Sequence, residues 1–590
     1  MTSGAAHKPI IVQSDGTVLL EVDNPLYESA RDHLARFAEL EKSPEHIHTY
    51  RITPLSLWNA AASGMNPDAI THVLETYAKY PVPNNVRVDI AEYISRYGRV
   101  KLIREGTDLI LVCDNSELVT ELAHHRQLQT YIIETITPSR LRVDPLKRGH
   151  IKQALTLLGY PAEDLAGYVQ GAPLRLALRE KTRVGKPFVL RHYQRDAAAA
   201  FYAGGSARGG SGVIALPCGA GKTIVGMAIM EKLQCATLIL TANTVASRQW
   251  IAELVDKTDL PEDAIGEYSG HQKQVRPVTI GTYQIMTYHP RRKPGSAPSA
   301  YEYPHFELFN AQDWGLIIYD EVHLLPAPVF RITAEIQARR RLGLTATLVR
   351  EDGLERDVFS LIGPKKYDAP WRDLENQGWI AAAECHEIRI PLPQEMRLPY
   401  ALADTRDKYR VAAENPRKLE TLDILLTKHP RDSVLIIGMY LSQLRTVAER
   451  YAYPLITGKT PVRDREKLYD EFRSGNIRRL VVSKVANFAI DLPDANVAIQ
   501  ISGTFGSRQE EAQRLGRILR PKRNGLLAHF YTLVSRDTRD QDFAAKRQLF
   551  LTEQGYRYEI IYDDEITAWQ PATLALRARE PQSRALSAAE

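Results

Sequence analysis

Cysteine is scarce in this chain. Its 590 residues hold four, Cys113, Cys218, Cys235 and Cys385, too far apart for a CxxC pair or a metal-ligand spacing. That argues against a disulfide framework and against a cysteine-held zinc or iron–sulfur centre, and it suits a reducing compartment. No run approaches about 18 apolar residues, so no segment reads as a membrane span. The opening "MTSGAAHKPIIVQSDG" has no basic stretch followed by an apolar one and so does not read as a signal peptide. Neither sign of charge dominates: a net charge of +5 and a pI near 8.7 permit a nucleic-acid partner without requiring one. The expectation is a cytoplasmic chain with no membrane partner, too long for one core and divided into about three or four domains.

What is present falls into contrasting parts. To about residue 181, strands and helices are mixed. "PIIVQSDGTVLLEV" reads as two strands around Ser14-Asp15-Gly16, and "NPLYESARDHLARFAELEK" as a helix. "VRVDIAEYISRYG", "RVKLIREGTDLILVCDN" and "SELVTELAHH" follow as helix, strand and helix. From residue 188 short apolar runs alternate with helical segments: "GVIALP", "ATLILT", "VTIGTY", "GLIIYDE" and "RLGLTAT". A second block repeats the habit with "SVLIIGMY", "RRLVVSK", "NVAIQIS" and "LAHFYTLV". Alternation of this kind predicts two parallel-sheet α/β lobes. Residues 203–212 and 289–305, rich in Gly, Pro, Ser and Arg, read as mobile loops, and the tail after Gln570 as disordered.

Three motifs carry chemistry. In "ALPCGAGKTIVGMAIM" a strand meets Pro217, Gly219, Gly221, Lys222 and Thr223, and a helix follows. Glycines there let backbone N–H groups wrap phosphate oxygens at a helix N-terminus. Lys222 would reach the β- and γ-phosphates of ATP, and Thr223 would ligate Mg²⁺. Leu216 stands where the longer phosphate-loop pattern has its first glycine. In "GLIIYDEVH" a buried strand delivers Asp320 and Glu321 at its carboxyl end, where open α/β sheets place ligands. Asp320 would hold Mg²⁺ through water, and Glu321 would orient or deprotonate the attacking water. In "EAQRLGRILR" Gln513, Arg517 and Arg520 can share a helix face and act on a γ-phosphate as arginine fingers. Trp250, Tyr283 and Phe505 are candidates for stacking on bases, with burial in a core as the competing reading.

These motifs resemble the motor core of superfamily 2 helicases, over about residues 188 to 534. The resemblance implies two RecA-like parallel-sheet lobes preceded by mixed α+β N-terminal domains. It implies that Gln194, in "LRHYQRDA", reads adenine with Arg191 nearby. "TANTVASRQW" and "GTYQIM" would contact a strand through Arg248, Thr282 and Tyr283, and Thr345 and Thr347 of "LTAT" would couple phosphate state to lobe movement. Arg350-Glu351-Asp352, directly after that turn, resembles the RED motif of XPB-type DNA helicases, and the N-terminal region looks like that of their bacterial members. Ile490 replaces the glycine that many superfamily 2 members carry before Asp491.

The resemblance implies an ATP-dependent DNA translocase that opens duplex DNA 3′→5′, in nucleotide-excision repair or related DNA processing. The triplet Arg350, Glu351 and Asp352 would help to separate strands. The domains expected are 1–85, a damage-recognition-like domain 86–185, lobe 1 at 186–370 and lobe 2 at 371–560, with a short thumb-like insertion near 393–417 and a tail 561–590. DNA is the expected partner, a repair nuclease or other repair factor a possible one, and the isolated chain is expected to be a monomer. The alternative is a duplex translocase or remodeller with little net unwinding.

Overall fold

The computed structural model describes residues 8–571, apart from residues 45, 218, 271, 290–302, 347–353, 370–373, 375–382, 484–494, 504–527 and 554–555. Thr347, the triplet Arg350, Glu351 and Asp352, the residues Gln513, Arg517 and Arg520, Phe505, the turn before Asp491 and residues 572–590 therefore lie outside the described residues, as does most of the loop at 289–305. The tail expected from residue 561 begins inside the strand Arg557–Tyr562, and Ile566 beyond it is buried. The chain divides into two compact units, Met1–Asp373 and Leu374–Glu590.

The first unit begins with a four-stranded antiparallel sheet, in the order Ile10–Val12, Thr17–Glu21, Ile47–Arg51 and Glu39–Lys42. Gly16, at φ 81°, makes the turn between the first two strands. The helix expected through Lys42 stops at Leu34, and Glu39–Lys42 is an edge strand instead. Leu34 and Phe37 are both buried, so the apolar spacing that suggested a continuing helix serves a turn packed against the sheet. A second sheet has the order Ile132–Thr137, Arg140–Val143, Asp108–Cys113, Val100–Glu105 and Glu163–Asp164.

Where the second sheet's domain meets the first lobe, each side carries buried charge. Arg148 donates from Nη2 to Asp164 at 2.6 Å and from Nη1 to the Gly167 carbonyl at 2.9 Å. Lys152 lies 3.1 Å from the same carboxylate. Burial alone would raise the Asp164 carboxyl, but these two cations hold it well below the usual carboxylate range. Arg341, on a lobe-1 strand and fully buried, donates to the carbonyls of Leu361 and Gln337 at 2.7 Å each. The Tyr168 ring sits between the two guanidinium groups, 5.2 Å from Arg148 and 5.5 Å from Arg341. Gly149 lets its helix touch the chain at Ala334, where a Cβ would fall 2.3 Å from the carbonyl oxygen. Trp58, Tyr97 and Phe359 bring the first sheet's helices, the second sheet's approach and lobe 1 together around one aromatic cluster.

Lobe 1 is a seven-stranded parallel sheet in the order Ile265–Tyr268, Val278–Thr282, Thr237–Thr241, Leu316–Asp320, Arg340–Thr345, Ser211–Ala215 and Lys365–Asp368. Its central strands are apolar and buried on both faces, as covered parallel sheets require. Ser211 and Gly212, expected in a loop, begin the strand Ser211–Ala215, because the Arg341 guanidinium and the Lys366 side chain close over them.

The second unit carries its own seven-stranded parallel sheet. Its order is Leu455–Ile456, Arg479–Ser483, Val434–Gly438, Val497–Gln500, Ala528–Ser535, Ala383–Ile390 and Arg557–Tyr562. Numbered along the chain within each sheet, both seven-stranded sheets read 3-4-2-5-6-1-7. The segment 393–417 forms helices Gln394–Leu402 and Thr405–Ala413, and only the first is bare, with Leu398 and Leu402 exposed. Tyr409, Ala412 and Ala413 of the other helix are buried.

Candidate active site

In lobe 1 the first strand, Ser211–Ala215, ends beneath a turn that leads into the helix Lys222–Leu233. Gly219 and Gly221 sit at φ 83° and 85°, in the left-handed region that glycine adopts without a Cβ penalty. A Cβ on Gly221 would lie 2.6 Å from Gln194 Nε2, so the turn is tight as well as strained for any other residue. Gln194 is buried: its Nε2 donates to the Ala220 carbonyl at 3.0 Å and its Oε1 accepts the Arg191 N–H at 3.0 Å. Arg191 Nη1 donates to the Tyr193 hydroxyl at 2.9 Å, and that hydroxyl donates to the same Ala220 carbonyl at 2.7 Å. The Arg191–Gln194 segment is thus bonded directly to the glycine turn.

The strand Leu316–Asp320 delivers the acidic pair. Trp250 Nε1 donates to Asp320 Oδ2 at 2.9 Å, and the Tyr283 hydroxyl donates to the Asp320 carbonyl at 2.9 Å. Both aromatics are buried, and Gly226 makes room for Trp250 where a Cβ would be 2.5 Å from its ring. Trp250 and Tyr283 are therefore props of Asp320 and present no ring for a base to stack on. Thr282 is also buried and caps the short helix Tyr283–Met286 by accepting the Ile285 N–H. Of the three expected strand contacts, Arg248 alone is exposed.

Glu321 adopts φ 51°, ψ 57°, a left-handed conformation costly for a residue with a Cβ and characteristic of functional turns. The turn aims its carboxylate at Lys222, whose Nζ lies 3.0 Å from Oε1. His323 Nδ1 stands 3.6 Å from the other oxygen and 2.8 Å from the Thr345 hydroxyl. The Ala346 backbone N–H also donates to Glu321, and the Thr345 carbonyl accepts the Leu216 N–H at 2.9 Å. The turn beginning at Thr345 is in this way bonded both to the acidic pair and to the entry of the phosphate loop.

Burial and the neighbouring Glu321 charge push the Asp320 carboxyl up to about 6, against the opposing pull of Trp250 and Lys222. Burial would raise Glu321 too, but Lys222, then His323 and the Ala346 N–H, hold it below its ordinary value. One carboxylate is thus kept ionised and the other close to titration. The donor set fits a nucleotide with its magnesium ion: a glycine cradle with no room for a Cβ, a helix N-terminus, a lysine, and a hydroxyl and carboxylate in Thr223 and Asp320.

His323 and Trp250 were not among the residues assigned to this chemistry. The "H" of "DEVH" is readable as a motif position; for Trp250 the competing reading, burial in a core, is the one that holds, and nothing local in the sequence signals its bond to Asp320.

A family model described as the ERCC3/RAD25/XPB C-terminal helicase matches residues 374–589, and one described as the type III restriction enzyme res subunit matches 187–350. A third, described as a helicase conserved C-terminal domain, matches 10–137. A protein named DNA 3′-5′ helicase XPB from Kineococcus radiotolerans is 53% identical over 97% of this chain and 99% of its own length. One of the same name from Mycobacterium tuberculosis is 52% identical over 96% of this chain and 99% of its own. The subunit XPB of a general transcription and DNA repair factor IIH from Enterocytozoon bieneusi is 33% identical, over 94% and 92% of the two chains.

Proposed function

The chain belongs to the XPB family of ATP-dependent DNA helicases, and on that premise we propose that its lobe-1 site hydrolyses ATP with Mg²⁺ to drive 3′→5′ tracking and strand opening in nucleotide-excision repair. The observation that carries the assignment of roles is the Lys222–Glu321 ion pair at 3.0 Å, placed between the glycine turn and the Thr345 turn.

In this reading Lys222 exchanges partners. Without nucleotide it is spent on Glu321; when phosphate enters the cradle, Lys222 turns to it and releases the carboxylate to orient or deprotonate a water. Backbone N–H groups of the glycine turn and the first turn of its helix receive the phosphate oxygens. Thr223 and Asp320 would hold the magnesium ion, which would supply neutralisation of phosphate charge. Arg191 and Gln194 take the base side of the nucleotide, and Gln194 reports it to the turn through Ala220. Thr345, bonded to His323, passes the state of Glu321 onward. The proposal extends by sequence alone to Gln513, Arg517 and Arg520 as phosphate-facing groups, to Thr347 as a coupling residue, and to Arg350, Glu351 and Asp352 in strand separation. Arg248 is the remaining lobe-1 candidate for backbone contact with DNA, and such contact will be salt-dependent. A repair nuclease or other repair factor is the further partner proposed.

The test is ATP turnover and strand release on forks with a 3′ or a 5′ tail, on flush duplex and on bubbles, with Glu321→Gln as control. Turnover stimulated by DNA, with release only from 3′-tailed or bubble substrates and none from Glu321→Gln, is expected. Triplex displacement without strand release would replace the opening activity by duplex translocation. Turnover retained in Glu321→Gln would overturn the assigned chemistry.

A further inference from the structure

In the second unit, strand Ala383–Ile390 lies between Ala528–Ser535 and Arg557–Tyr562. The register pairs Glu384 with His529, and His386 with Tyr531 on one side and Glu559 on the other. Residues two apart on a strand share a face, so Glu384 and His386 project together. Glu384 Oε2 lies 3.8 Å from His386 Nε2 and 3.9 Å from His529 Nδ1. The three donor atoms fall within 4.8 Å of one another, and all three residues are buried.

The decisive detail is the state of His386. Its side chain is 4% exposed, and its Nε2 has no hydrogen-bond partner. Its other nitrogen, Nδ1, lies 3.1 Å from Glu559 Oε2. A proton on Nδ1, donated to Glu559, leaves a bare lone pair at Nε2 facing the Glu384 carboxylate. Two acceptors that face each other in a buried space call for a cation between them. The nearby His429 shows the contrasting arrangement: its Nδ1 is bonded to Asp432 and its Nε2 to the Tyr531 hydroxyl, each at 2.8 Å.

We propose that Glu384, His386 and His529 form a binding site for a divalent first-row transition metal ion, Zn²⁺ above all, with Glu559 orienting His386. Two imidazole nitrogens and one carboxylate oxygen suit zinc and its neighbours better than Mg²⁺ or Ca²⁺, which prefer oxygen throughout. A carboxylate hydrogen-bonded to the distal nitrogen of a ligating histidine is the usual way such ligands are aimed. Bonds of about 2.0–2.1 Å in a tetrahedron place ligand atoms roughly 3.4 Å apart, so closure asks less than about an ångström of each side chain. Three protein ligands leave one position for water. Glu384 and His529 lie at the beginnings of their strands, the edge opposite the carboxyl ends where this fold takes its nucleotide. The ion's role is therefore to pin two neighbouring strands, apart from the hydrolytic chemistry.

The full chain, made without a histidine tag, is assayed for metals after gel filtration, then stripped with chelator and titrated with Zn²⁺ or Co²⁺ in the absence of nucleotide. One equivalent of zinc per chain is expected, with visible Co²⁺ d–d absorption and a rise in Tm on metal return. Glu559→Gln, at a half-exposed position that should tolerate the change, is expected to weaken Co²⁺ binding by about 10–100-fold. His386→Asn should abolish the Co²⁺ spectrum. Wild-type protein that holds no metal and gives neither spectrum nor Tm shift would overturn the proposal. So would Co²⁺ binding that is unchanged in Glu559→Gln, whether or not His386→Asn folds.

Discussion

The two seven-stranded sheets follow the same order, 3-4-2-5-6-1-7, yet they treat a lysine and a carboxylate in opposite ways. In lobe 1, Lys222 and Glu321 meet at 3.0 Å with 11% and 18% of their side chains exposed, at a site open enough to change partners. In the second unit, Lys418 and Asp540 meet at 2.6 Å with no exposure at all. Lys418 also donates to the Ile501 carbonyl, and Asp540 accepts the Ser535 N–H. A shared topology thus leaves the chemistry to the strand ends. After its first strand, lobe 1 has two glycines at positive φ; the second unit has Pro391-Leu392-Pro393, which can form no such cradle. The lobe-1 pair is arranged to open, and the other to stay shut.

Breaking the sealed pair should have the largest effect. Lys418→Met alone is expected to destabilise the second unit by about 3–5 kcal/mol, because buried Asp540 loses its hydrogen-bonded cation and keeps only the more distant Arg547, at 4.0 Å. Loss of hydrogen-exchange protection in Val497–Gln500 and Ala528–Ser535 would report it. Lys418→Met with Asp540→Leu should recover only part of that loss, because buried Arg547 then loses the carboxylate beside it. Lys222→Ala should do the reverse: kcat lower by about 10²–10³ with little change in Tm, read by phosphate release beside calorimetry. A Tm loss as large as that of Lys418→Met would erase the distinction between the two pairs. The smallest effect sharpens the contrast through pH. With the Asp320 carboxyl pushed up to about 6, a proton takes the cation's place below that pH. Binding of a fluorescent Mg²⁺–nucleotide should be level above pH 6 and weaken toward tenfold per unit below it. Asp320→Asn should lower the plateau and flatten the slope.

Much of the lobe-1 site was legible in the sequence because each part is local: a glycine turn before a helix, and an acidic pair after an apolar strand. The roles of Trp250 and Tyr283 were not. An aromatic in a strand-contacting motif reads the same whether it faces solvent or props a carboxylate, and only the packing around Gly226 decides. All the apolar strands read from the sequence are present in the two lobes. Those missed include Ala383–Ile390, "AECHEIRI", whose Glu384, His386 and Glu387 interrupt an apolar run. It is nonetheless a buried interior strand, and two of the polar residues that hid it, Glu384 and His386, are proposed metal ligands. Ile265–Tyr268 and Leu455–Ile456 were missed for a simpler reason: short edge strands carry little pattern.

The joint of Arg148, Tyr168 and Arg341 has a mechanical consequence. Each guanidinium is bonded on its own side, Arg148 to Asp164 and Arg341 to Leu361, and the contact across runs through the Tyr168 ring on Arg341 and through Arg340 Nη1, which donates to the Val169 carbonyl at 2.8 Å. A pivot of the N-terminal part on lobe 1 would have to break these contacts, together with the Gln153–Asp357 hydrogen bond at 2.9 Å. That part is expected to travel with lobe 1 when hydrolysis displaces that lobe, as a lever arm follows its motor.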